Sequence, residues 1–80
     1  WSDIGSWSAL HDILEKDGAG NVVIGDALLR GTSNSYIRTD GILTAVIGVK
    51  DLVVVATSDA ILISHRDAVQ EVKDIVHALK

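Results

Sequence analysis

Asp3 stands in the run Trp1-Ser2-Asp3-Ile4-Gly5-Ser6-Trp7. A carboxylate held in a loop between an aromatic side chain and a glycine can offer oxygen to Mg²⁺, a hard cation that takes few ligands from protein and keeps waters and substrate phosphates for the rest. A single carboxylate is a weak motif. Its spacing alone favours an exposed loop Asp, or a group that complements the positive end of a helix. Three histidines follow: His11, His65 and His77. Zinc requires three or four convergent ligands. No His-x-x-x-His or His–Glu pairing is present, so exposed or capping roles are expected for all three.

Ser64 and His65 are adjacent, which places their side chains on opposite faces of a strand. A nucleophilic pair needs hydrogen-bond reach, and no Gly-x-Ser-x-Gly elbow supplies it elsewhere. Gly18 and Gly20 are not followed by the Lys-Ser/Thr of a phosphate loop. Read residue by residue, the chain offers no autonomous active site and calls for no cofactor of its own.

The elements that would position these residues fall into three parts. Ser6 can cap a helix, and Trp7, Leu10 and Leu14 recur at helical spacing with Ile13 beside them, so a helix is expected over 6–16. Asp17-Gly18-Ala19-Gly20 ends it. From Asn21 to Ser64, short β-rich runs alternate with Gly, Asp, Asn and Ser. Strands are expected at 21–24, 27–30, 35–38, 43–49, 52–57 and 60–64. Thr39-Asp40-Gly41 reads as a hairpin turn and Ser58-Asp59 as a second turn. Val53-Val54-Val55 is apolar on both faces, so its strand is central and covered on each side.

Ile24-Gly25-Asp26 and Ile47-Gly48-Val49 both look like the corners of a solenoid. The pattern leaves a solenoid and a small roll equally open. Finally, Val69, Val72, Ile75, Val76 and Leu79 form one apolar stripe. Asp67 can cap it, with Gln70 three residues on, which predicts a helix over 67–79 packed on the β unit.

Composition bounds the partners. The 80 residues make one small unit, 48% apolar and of formal net charge -4. The seven Lys and Arg are scattered singly, so the basic stripe of a nucleic-acid binder is missing. No apolar run reaches the roughly 18–20 residues that cross a membrane. No cysteine is present, which excludes disulfides and thiolate metal sites and fits a cytoplasmic setting. Trp1-Ser2-Asp3 is neither a signal peptide nor an initiator, and the chain reads as part of something longer.

The run Trp1–Trp7 resembles the segment that closes the nucleotidyltransferase domain of the mannose-1-phosphate guanylyltransferases. Gly20-Asn21-Val22-Val23, Gly25-Asp26, Asn34-Ser35-Tyr36, Ile47 through Val55, Thr57 through Ala60, and Val69 through Lys73 match that family in order. Ser35 stands where many members carry Cys. The resemblance implies a division into 1–18, the tail of the nucleotidyltransferase domain, and 19–80, a β-rich C-terminal domain.

It also implies an α+β unit, left-handed β-helix-like or a small roll, flanked by an N-terminal and a C-terminal helix. In the parent enzyme, GTP and mannose 1-phosphate give GDP-mannose and pyrophosphate with Mg²⁺, and Asp3 inherits a metal-binding role there. The family's Gly-rich loop and second metal-binding Asp lie in an N-terminal domain, which is the implied partner. A structural and oligomerising role, as a homo-oligomer, is the expectation for these 80 residues. The alternative is a free-standing small-ligand or anion-binding domain, with backbone nests in the turns of residues 17–42.

Overall fold

The computed structural model describes Leu14 and residues 16–78. The helix expected over 6–16 lies almost wholly outside them. Six strands follow in order: β1 Val22–Ile24, β2 Ala27–Arg30, β3 Tyr36–Thr39, β4 Thr44–Ile47, β5 Leu52–Ala56 and β6 Ile61–His65. Each agrees with its sequence expectation to within one or two residues, apart from the longer span expected for β4. A 3₁₀ helix over Arg66–Glu71 and a helix α1 over Val72–Ala78 close the described chain.

The strands form stacked coils. One sheet has the order β1-β3-β5-β6 and the other pairs β2 with β4. β1, β3 and β5 are parallel, with Val22 beside Tyr36 and Tyr36 beside Val53. β2 and β4 are parallel with Ala27 beside Thr44. Among the described strands only β6 reverses, joined to β5 across Ser58-Asp59 as expected. Solenoid rather than roll is therefore the architecture.

The hairpin expected at Thr39-Asp40-Gly41 does not form. β3 and β4 lie in different sheets. The segment turns a corner instead of reversing, because β3 is already paired on both edges by β1 and β5. The parallel ladder even continues past its end, where the Asp40 N–H donates to the Ala56 carbonyl at 2.8 Å.

Side-chain alternation builds two cores. Inside the coils, Ile37, Val46 and Val54 meet Ala27, Leu29, Val49 and Leu52. On the other face of the larger sheet, Val22, Tyr36, Val53, Val55 and Leu62 are covered by Val69 and Val72, and Leu14 packs against the same cluster. The expectation that Val53-Val54-Val55 is covered on both sides holds: all three are buried, Val53 completely.

The C-terminal segment departs from one continuous α-helix over 67–79. Its first half is 3₁₀, in which residues three apart eclipse. That geometry sets Val69 and Val72 in line over the sheet, each burial stabilising by about 1.5–3 kcal/mol. The cap also differs. His65, not Asp67, occupies the N-cap, and its Nδ1 accepts from the Asp67 N–H at 3.1 Å. Ile75, on the expected stripe, remains 51% exposed.

Candidate functional site

The coils turn at corners that demand unusual backbone. Gly20, Asn34 and Asp51 each stand two residues before a strand residue of the Val22–Tyr36–Val53 row, and each has positive φ, at 82°, 54° and 57°. Asn tolerates this region better than most side chains, as does Asp, whose short polar group can bond locally. Asn34 Nδ2 donates to Asp51 Oδ1 at 2.6 Å, tying one coil to the next. Gly31 stacks against Gly48 at the preceding corner. The sequence echo between Gly25 and Gly48 is thus misaligned: both are corners, but Gly25 joins β1 to β2 while the counterpart of Gly48 is Gly31.

The residues next along the corner carry a polar ladder. Asn21 is buried, with Nδ2 donating to the Thr32 carbonyl at 2.7 Å and to Asp17 Oδ2 at 3.1 Å, while Oδ1 accepts from the Ser35 N–H at 3.0 Å. One coil on, Ser35 Oγ accepts from the Leu52 N–H at 3.1 Å and donates to the Ser33 carbonyl at 3.0 Å. Every buried side-chain nitrogen and oxygen among the described residues has a partner. These groups hold the coil together, each spending its bonds on neighbouring coils.

The same accounting bears on one of the turns in 17–42, the one at the head of the solenoid. Asp17 Oδ1 accepts from the Ala19 N–H at 2.8 Å and the Asn21 N–H at 3.0 Å. The turn at the head of the solenoid therefore already holds an anion, its own carboxylate. Those bonds, the Asn21 N–H foremost and then the Asn21 side chain, pull the Asp17 carboxyl below its ordinary value.

The sign of the linkage follows. A depressed carboxyl contributes stability in full above its unfolded value of about 4, and that contribution fades as pH falls through the lower folded value. Asp17→Asn is expected to unfold earlier than the native chain at pH 7, and the gap between their denaturation midpoints is expected to narrow below about pH 4. Midpoints measured from pH 7 to pH 2 check this; a gap independent of pH would refute it.

The candidate catalytic residues do not converge. Asp3 and His11 lie outside the described residues. Ser64 Oγ donates to the His65 carbonyl at 2.9 Å rather than to an imidazole, so the adjacent pair is no nucleophile and base. His65 is committed to the 3₁₀ cap, and His77 lies in the last turn of α1. No group of three His, Asp or Glu side chains among the described residues could hold a metal ion.

What the fold leaves open is apolar. The second sheet ends at β4, and among the described residues it has no strand level with β6. Ile61 and Ile63 there are 58% and 64% exposed. A groove of about 320 Å³ runs beside β6, lined by Leu62, Ile63, His65, Ala68, Val72 and Ile75 among others. Sequence reasoning missed this surface, because alternation says which side chains share a face and not whether a second sheet reaches them. No helix among the described residues is long and apolar enough to cross a membrane.

Known proteins resemble the chain along its whole length. It is 51% identical over 80 residues to a mannose-1-phosphate guanylyltransferase of Escherichia coli, matching all of this chain and 17% of that protein. It is 47% identical over 79 residues to the alginate biosynthesis protein AlgA of Pseudomonas aeruginosa, matching 99% of this chain and 16% of that one. The chain thus spans about a sixth of the length of such relatives. A crystal structure from Thermus thermophilus, described as a mannose-1-phosphate geranyltransferase, superposes with a TM-score of 0.83 at 32% identity, over 96% of this chain and 24% of that one. Residues 20–79, which hold every coil and corner described above, match the family described as the MannoseP isomerase/GMP-like beta-helix domain, and to that family the chain belongs.

Proposed function

We propose that these 80 residues serve as the structural and self-associating β-helical part of a mannose-1-phosphate guanylyltransferase, and that they do no chemistry alone. The observation that supports this most is the pairing of two facts. Identity to guanylyltransferases extends over the whole chain, yet no described side chains converge on a metal or form a nucleophilic pair. In the complete enzyme, which would join GTP to mannose 1-phosphate with release of pyrophosphate, Asp3 would supply one carboxylate oxygen to Mg²⁺. Phosphates and a second protein carboxylate would complete its shell, since one protein ligand holds this ion poorly. Charge neutralisation and positioning, which carry such transfers, would come from the partner domain.

The 80-residue chain, incubated with GTP, mannose 1-phosphate and Mg²⁺, is expected to form no GDP-mannose above the rate without protein. Sugar nucleotide appearing in proportion to protein concentration would overturn the assignment. For the free-standing anion-binding alternative, one candidate nest, the turn at Asp17–Asn21, has its Ala19 and Asn21 N–H donors held by Asp17 itself.

A further inference from the structure

We propose that Asp40-Gly41, at the corner between β3 and β4, is a site of spontaneous backbone modification, where the Gly41 amide closes on the Asp40 side chain and the link reopens as isoaspartate. Of the aspartates, only Asp17 and Asp40 precede a glycine. Such pairs are the reactive ones, because glycine places no side chain in the way of its own nitrogen. The reaction needs only water. The Gly41 nitrogen bonds to Asp40 Cγ and gives up its proton while the carboxyl loses its hydroxyl. The two depart as water and leave a five-membered succinimide. Water then adds to one of the two ring carbonyls. Addition at Cγ restores Asp40. Addition at the main-chain carbonyl leaves the chain running through Cγ, one methylene longer. Nothing is oxidised or reduced, and the mass returns to its starting value.

The structure separates two pairs that are alike in sequence. Gly18 and Gly41 are both exposed, and a Cβ on either would meet nothing within 4 Å, so neither amide is shielded. The carboxylates differ. Asp17 Oδ1 accepts from the Ala19 and Asn21 N–H groups, and Oδ2 accepts from Asn21 Nδ2. All of these bonds must break before Asp17 Cγ can reach the Gly18 nitrogen. They also hold the Asp17 carboxyl below its ordinary value, which depletes the neutral acid whose hydroxyl leaves. Asp40 is exposed, and among the described residues no hydrogen bond or ion pair holds its carboxylate. Its corner is anchored through other groups. The Asp40 N–H donates to the Ala56 carbonyl at 2.8 Å, and Thr39 Oγ1 donates to the Ile42 carbonyl at 2.5 Å. Neither bond engages the Asp40 side chain or the Gly41 N–H. Asn21 and Asn34 could follow the same path with loss of ammonia, but their neighbouring amides are committed. The Val22 N–H donates to the Ser35 carbonyl at 2.9 Å, and the Ser35 N–H donates to Asn21 Oδ1 at 3.0 Å. The fold thus leaves one labile pair open.

Ageing the folded 80-residue chain at neutral pH and body temperature tests the proposal. Its peptides are then mapped by mass spectrometry, with fragmentation that distinguishes isoaspartate from aspartate. Isoaspartate is expected at residue 40 in roughly tenfold or greater excess over residue 17, since Asp17 must first open its hydrogen bonds. In concentrated urea the excess is expected to shrink to within about twofold, because both pairs then lie in open chain. Gly41→Ala, at an uncrowded position, is expected to slow formation at residue 40 severalfold, with residue 17 as the internal reference. No more isoaspartate at residue 40 than at residue 17 in the folded chain would overturn the proposal. An excess that persists unchanged in urea would overturn the protection assigned to the bonds of Asp17. Failure of Gly41→Ala to slow the change would overturn attack by the Gly41 amide.

Discussion

Gly25→Ala is expected to destabilise the chain by about 3 kcal/mol or more, combining the strain of positive φ with that of overpacking. Gly25 turns the corner from β1 to β2 at φ 94°, where an L side chain is strained in any surroundings. Here the surroundings are also closed. A Cβ would overlap the carbonyl oxygen of Thr39, and it would stand 3.1 Å from the Thr39 carbonyl carbon in the next coil. Backbone cannot swing aside as a side-chain tip can, so β3 or β1 must shift. For 80 residues the total stability is of the order of 4–12 kcal/mol, and the change takes a large share of it.

Gly41 provides the comparison. Its φ is 83°, but a Cβ there would meet nothing within 4 Å. Gly41→Ala is expected to cost about 1 kcal/mol, from conformation alone. Denaturant unfolding of both variants separates the two contributions. Equal losses would mean that the close stacking of Gly25 on Thr39 carries no weight.

Asn21→Ala is expected to cost roughly 2–4 kcal/mol, because a buried donor and a buried acceptor lose their partners together. The Ser35 N–H would lose Asn21 Oδ1, and the Thr32 carbonyl would lose Nδ2. Ser35 and Thr32 are both buried, so water cannot readily take over. Asp17 would also lose the side-chain bond that helps hold the head turn. Asn21→Asp refines the test: it keeps the acceptor for Ser35 but sets a second carboxylate beside Asp17 and removes the donor to Thr32. Part of its loss is expected to return on acidification, when one carboxyl can carry a proton; the alanine variant offers no such recovery. Unfolding midpoints at pH 7 and pH 4 distinguish the two. An Asn21→Ala loss below about 1 kcal/mol, the size of a typical exposed hydrogen bond, would refute the network's importance.

Much of this fold was legible in the chain, and the reasons are local. Short runs, mostly β-branched and in β2 built on Ala and Leu, broken by Gly, Asp and Asn marked all six strands, because extended backbone and turns are both near-neighbour properties. Val53-Val54-Val55 declared a strand covered on both faces. Pairing was not legible in the same way. Thr39-Asp40-Gly41 has hairpin chemistry, yet its flanking strands join different sheets, since β3 finds both of its neighbours more than ten residues away. The corner ladder of Asn21, Asn34, Ser35 and Asp51 was hidden for a like reason. Its bonded pairs, Asn21 with Ser35 and Asn34 with Asp51, are 14 and 17 residues apart, and the first coil is three residues shorter than the second in the larger sheet. An uneven period blurs any repeat. The C-terminal stripe was visible, but its spacing could not show that a 3₁₀ start would align Val69 with Val72. The site expectations fared according to reach: Ser64 beside His65 was correctly dismissed from strand geometry, while the bonds that Asp17 makes to its own turn appeared only when the backbone was in place.

The reversal at Ser58-Asp59 bears on how far such coils can grow. A spiral whose last strand kept the common direction, with both faces finishing level, would present a template on which another molecule could continue the winding, and then another, without limit. Here the terminal strand runs the opposite way and the smaller face stops one rung early. The run of parallel rungs therefore ends at β5, and a further strand of the common direction could meet the stack at β6 only as an antiparallel neighbour.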